Sequence, residues 1–191
     1  MRGPLLRAAD IQALPEEARK HPLDAKLVRH TRSLGDAVGL ATIGVHLVRL
    51  EKGDTSSVQH AHHQDEEWVY ILSGRGVAEI GDAKHDVSAG DFMGFAAGSE
   101  AHCLHNPNEK ELVYLVGGNR WPFDVCDYPR IGKRRYRING KNVYVDAGVL
   151  AQAGEAPASA PGERTEGNQG FPPSEAGLPV NEQRETKGFP P

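Results

Sequence analysis

The stretch QHAHHQDEEWVYILSG, residues 59–74, decides how this chain is read. Three histidines fall within four positions, a run of acids follows, and an apolar segment ends at Gly74. Taken as strand, turn and strand, its side chains alternate between two faces. His60 and His62 then share one face, and His63 points to the other. After the turn at QDE, Glu67 opens the second strand on the same face as Val69 and Ile71. A carboxylate entering an apolar interior needs a cation to compensate it. Two imidazoles and a carboxylate are a donor set for a divalent first-row transition metal.

The surrounding texture sets the fold class. From about 41 to 118, short runs rich in valine, isoleucine and leucine alternate with glycine-bearing turns: ATIGVHLVRL, EWVYILSG, GVAEIGD, HDVSAGDFMGFAAG, HCLHNP and ELVYLVGG. Closely spaced strands without helical periods predict an antiparallel sandwich or barrel. Turn chemistry at EKGD, SGRG, GDAK and NPNEK agrees. Residues 1–40 read as an N-terminal arm, with a short helix in DIQALPEEARK and an extended course through HPLDAKLVRHTRSLGDAVGL. Residues 119–150 read as a strap followed by a hairpin turning at Asn139-Gly140, packed on the barrel. Residues 151–191 hold seven of the 13 prolines, no tyrosine or tryptophan, and six glutamates against three basic residues. Such a composition buries too little apolar surface to offset chain entropy, so a disordered tail is expected there. GFPP occurs in it twice, at 170–173 and 188–191, and reads first as low-complexity coincidence and second as a short proline-rich docking motif.

A fourth ligand is sought downstream. GDFMGFAAGSEAHCLHN supplies His102 at the start of a later strand. Asn106 shares its parity and is a candidate to hydrogen-bond nearby, whereas His105 has the opposite parity. His46 stands either on a strand exterior or on the pocket wall, and His63 is a solvated neighbour or a residue supporting the ligands. Phe95, with Phe92 and Met93, lies near the loop before His102, where the alternatives are the pocket mouth and ordinary core packing. Isolated histidines such as His21, His30 and His85 read as surface or structural residues. The basic run GKRRYRINGK, 132–141, reads first as a solvated hairpin face and second as an attractor of anions.

These residues carry a family resemblance. Gly53, His60, His62, Glu67 and Gly74 resemble the first motif of the cupins, and Gly90, Gly98, His102 and Asn106 resemble the second. There are three departures. The interval from Gly53 to His60 is one residue longer than the pattern, Ala96 stands where proline is frequent, and one extra residue separates Gly98 from His102. The resemblance implies an all-β, jelly-roll-like antiparallel β-barrel with core 41–118, and a metal held by His60, His62, Glu67 and His102. Only one barrel's worth of motifs is present, as in single-domain bacterial cupins of unassigned activity. The likeness also implies a homodimer, with the arm at 23–40 available for exchange or packing.

Composition narrows the function classes. The net charge of −4 gives no support to a nucleic-acid or anionic-membrane partner. No apolar stretch approaches the ~20 residues that span a bilayer. Two cysteines without paired spacing, and a start without a signal-like apolar region, predict a cytoplasmic protein. The site is expected to hold one Fe, Mn, Zn or Ni ion and to act on a small oxygenated metabolite as a dioxygenase, decarboxylase, isomerase or lyase. The alternative is a non-catalytic cupin that binds or senses a sugar-like ligand. Fold and ligands do not choose among these.

Overall fold

Alternation of apolar and polar residues in β3 (Ile43–Leu50), β5 (Glu67–Ser73) and β10 (Leu112–Asn119) builds the centre of the molecule. Val48 and Leu50, Val69 and Ile71, and Leu112 and Tyr114 all turn to one side and are buried there. The computed structural model describes residues 3–150. In it β10 lies between β3 and β5, antiparallel to both. The sheet extends through β2 (Asp24–Ser33) to β1 (Glu17–His21) on one side and to β8 (Phe92–Phe95) on the other.

A three-stranded sheet faces that interior, with β6 (Arg75–Ile80) between β7 (Ala83–Ser88) and β9 (His102–His105). It contributes Ala78, Val87 and Leu104 to the same core. A four-stranded sheet joins β4 (Ala61–His62) to β11 (Phe123–Tyr128), β12 (Lys133–Ile138) and β13 (Lys141–Asp146). The result is the expected all-β jelly roll, with three hydrogen-bonded sheets in place of one continuous closed cylinder. The tight end of β5 depends on Gly74. It has φ of +85°, and a Cβ there would strike the carbonyl of Glu111. Asn139 and Gly140 both take positive φ, the signature of the hairpin turn the dipeptide predicted.

The N-terminal segment holds its expected short helix as α1 (Ala8–Gln12), set a little earlier in the chain, and departs from an extended course after β2, where the chain turns into α2 (Leu34–Val38), closed by Gly39 at φ +84°. β2 itself pairs with β3 from His30 to Ser33, which makes the arm part of the central sheet. No helix among the described residues is long and apolar enough to cross a membrane. The tail from 151 and its two GFPP segments lie outside the described residues.

The core makes a direct prediction. Ile71 is fully buried among ten interior side chains. Ile71→Ala is expected to lower unfolding free energy by about 2–5 kcal/mol through lost burial and a residual cavity. Chemical denaturation of the two proteins side by side reads this directly.

Candidate metal centre

Glu67 begins β5, and Val69 and Ile71 follow it on the same face with 1% and 0% exposure. The carboxylate thus stands at the rim of the apolar core. β4 carries His62 across from it, and His60 forms an isolated antiparallel bridge to His102 at the start of β9. One ligand atom each from His60, His62 and Glu67 lies within 4.8 Å of the others. His102 Nε2 is 3.9 Å from Glu67 Oε1, and the His102 ring centroid is 4.9 Å from that of His60. The four residues named from sequence are brought together.

The opposite ring nitrogens explain the orientation. His60 Nδ1 reaches the Val58 carbonyl at 3.0 Å, His102 Nδ1 the Glu100 carbonyl at 3.3 Å, and His62 Nδ1 the Asp124 carboxylate at 2.7 Å. Carbonyls and carboxylates only accept, so each Nδ1 is the protonated nitrogen and each Nε2 carries the lone pair. His102 Nε2 is buried and has no hydrogen-bond partner among the described residues. A buried, unpaired lone pair beside a carboxylate is what a metal ligand looks like before its ion is counted, so the donor set fits a divalent metal. Phe95 lies flat on the His102 ring, 3.4 Å between centroids, and fixes its plane.

The electrostatics point the same way. Burial, and then the neighbouring imidazoles, push His60 down to about 3, which keeps the ring neutral and its lone pair available. Burial works to raise Glu67, and what lowers its carboxyl below the usual range is a proton donor or positive charge on the side of His102, His60 and His62; with those rings neutral, a bound cation would take that part.

Sequence reasoning did not find Asp124. It is fully buried on β11, which runs beside the His-x-His strand with Cys126 opposite His62. Its Oδ2 accepts from His62 and from Arg135 Nη2 at 2.9 Å, and its Oδ1 accepts from the backbone amides of Gln64 and Asp65. These bonds outweigh burial and hold its carboxyl well below the usual range. The available signal was alternation: in FDVCDY, Asp124 shares its face with Cys126 and Tyr128, so an acid occupies an interior register.

The remaining candidates separate. His46 lines the cavity beside the centre, with Nδ1 at 3.2 Å from Ser33 Oγ and Nε2 at 3.3 Å from Arg120 Nη2. His63 is exposed and meets Asp127 at 2.8 Å. Asn106 is fully buried but away from the ligands, where its amide donates to the Leu50 and Lys110 carbonyls and closes a loop. The basic run is divided: Arg135 and Arg137 point inward to the cavity wall, with side chains 15% and 19% exposed, while Lys133 and Arg134 pair with Asp146 and Asp127 and Lys141 is exposed. His21, expected as a surface or structural residue, accepts from the Leu23 amide at 3.2 Å and also lines that wall.

With the geometry established, comparisons with known proteins can be placed beside it. The family model for the cupin domain matches residues 46–118. A solved structure from Acidithiobacillus ferrooxidans, provisionally named a sugar phosphate isomerase, is 41% identical. It covers 78% of this chain and 95% of its own, with a TM-score of 0.76. A sugar phosphate isomerase of the cupin superfamily from Silicibacter pomeroyi is 28% identical over 75% of this chain and 92% of its own, with a TM-score of 0.66. Among curated proteins, none matches. The chain belongs to the cupin superfamily.

Two outcomes check the site. His60→Ala combined with His62→Ala should abolish bound metal, measured by elemental analysis, while circular dichroism still reports a folded β protein. Asp124→Asn keeps the shape but removes the charge that orients His62, and should weaken metal affinity about 10–100-fold. In metal-free protein, the depressed Asp124 pKa contributes stability that is present above about pH 4 and lost as pH falls through the native value. Acid unfolding of Asp124→Asn should therefore show a flatter limb below that pH.

Proposed function

We propose that this protein is a metal-dependent isomerase of a small phosphorylated sugar. One observation carries the reading: the His60, His62, Glu67 and His102 donors open into a cavity of about 480 Å³ whose wall is predominantly polar and basic. That volume suits a ligand of monosaccharide size. The names of the two similar structures favour the same substrate class.

A divalent ion held by the four ligands would supply Lewis-acid polarisation of a carbonyl and its neighbouring hydroxyl. The chain's own groups supply the rest. Isomerisation moves a proton between adjacent carbons, which needs a base that is neutral before reaction. His46 is the candidate, because burial, and then the charges of Arg120 and Arg29, hold its pKa below the ordinary value; its Nε2 lone pair must leave Arg120 Nη2 to take the proton. Tyr128 lies 6.0 Å from His60, ring to ring, and burial keeps its phenol protonated. It is a hydroxyl donor on the cavity wall.

The test is a panel of three- to six-carbon aldose and ketose phosphates, assayed with Fe, Mn, Ni and Zn forms. Metal-dependent interconversion of at least one pair is expected, with His46→Gln lowering kcat by about 10²–10⁴-fold. Saturable binding of sugar phosphates without turnover in any metal form would sink the catalytic reading and leave a sugar-binding cupin.

A further inference from the structure

Among the described residues, three buried side-chain polar atoms have no hydrogen-bond partner: His102 Nε2, Thr31 Oγ1 and Arg135 Nε. All three residues line the same cavity. The metal set accounts for the first. The other two belong to different sheets and are not among its donors.

Thr31 is 2% exposed and sits in β2, its backbone paired with β1 on one side and β3 on the other. Arg29 lies two residues earlier on the same face and also lines the cavity. The other guanidiniums of this wall have carboxylate partners: Arg19 with Glu17, Arg120 with Asp36, Arg135 with Asp124, and Arg137 with Asp65. Arg29 has no carboxylate partner among the described residues. Its charge is felt on three other strands, at His21, His46 and Tyr114, and that of Arg135 also reaches His21. The half-buried wall therefore has an uncompensated guanidinium, a hydroxyl and an N–H without partners. This set is dominated by donors and by positive charge, the complement of an oxyanion with several acceptor oxygens.

We propose that Arg29, Thr31 and Arg135, none of them among the four metal donors, form a phosphoryl-binding subsite on the cavity wall that anchors the phosphate end of the ligand. The assignment to phosphate rests on the sugar-phosphate reading, while the need for an anion rests on the donor set alone. Arg29 gives the unpaired charge, Thr31 a short hydroxyl contact, and Arg135 its Nε–H while its Nη2 stays on Asp124. Arg135 thus touches both the anion subsite and, through Asp124, the orientation of His62.

Inorganic phosphate is the probe, titrated calorimetrically into the full-length protein. Wild type should bind it saturably at roughly millimolar concentration or below. Arg29→Gln should weaken binding about ten-fold or more, and Thr31→Val about three- to ten-fold. Arg29→Lys should fall between wild type and Arg29→Gln. The His60→Ala, His62→Ala protein should lose its metal and still bind phosphate saturably, with binding weakened again by Arg29→Gln, which separates this subsite from phosphate held by the ion. Metal content should be unchanged in Arg29→Gln and Thr31→Val. Absence of saturable binding to wild type, or unchanged affinity in both Arg29→Gln and Thr31→Val, overturns the proposal. Should Arg29→Gln fail to fold, Thr31→Val, which keeps the side-chain shape, decides alone. None of these readouts needs turnover, so an inactive enzyme with Arg29-dependent phosphate binding refutes the isomerase reading and leaves the subsite standing.

Discussion

A single negative charge with no exposure organises the site. The Asp124 carboxylate costs several kcal/mol to bury unless cations and donors surround it, and every group that does so belongs to a different part of the chain. His62 comes from β4, the Gln64 and Asp65 amides from the turn before β5, and Arg135 from β12. Neutralising one carboxylate therefore fixes the His-x-His strand, the turn that leads to Glu67, and the sheet of β11 to β13. His62 cannot rotate to serve another acceptor without leaving a buried charge short of a donor. The orientation of the lone pair at Nε2 follows from that constraint.

The three unpartnered atoms show the other side of the same physics. Buried polar groups are paired almost without exception, and this fold satisfies that rule through most of the interior. The exceptions collect on one cavity wall, and they differ in kind. A lone-pair nitrogen beside Glu67 calls for a cation, whereas a hydroxyl and a guanidinium N–H that share the cavity with Arg29 call for an anion. A ligand that meets both demands has an oxygen-rich end for the metal and an anionic end for the arginines. A sugar phosphate has that polarity.

The sequence was most legible where period-two alternation acts on contiguous residues. His60, His62 and Glu67 could be placed on one face because strand, turn and strand follow one another, and the interior neighbours Val69 and Ile71 carry the same parity. His102 was harder, since its position depends on a turn at Gly98, where φ is +75°, and came as much from the motif as from parity. Asn106 shares that parity, yet its amide is taken by two backbone carbonyls, because loop closure overrides face assignment at a strand end. The basic run at 132–141 was misjudged for a related reason. Charge composition suggests solvent, but alternation turns Arg135 and Arg137 inward once Asp124 and Asp65 wait there. Arg135 meets Asp124 between the paired strands β12 and β11, but the wall shared by Thr31 and His102 spans two sheets, and no local pattern encodes which sheets meet.

That division has a functional consequence. All four candidate metal ligands fall within residues 46–118, the segment matched by the cupin domain. Arg29 and Thr31 precede it, and Asp124 and Arg135 follow it. The core segment thus supplies the ion's donors, while the flanking strands supply the carboxylate that aims one of them and the cationic wall beside it. Substitutions in β2 or β12 can alter which anion is held without touching a ligand atom, except that Arg135 answers to both tasks. Losing its charge would free Asp124 to pull harder on the proton of His62 Nδ1 and raise the basicity of the coordinating nitrogen. Anion recognition and metal affinity are therefore coupled through one guanidinium, and the coupling runs through Asp124.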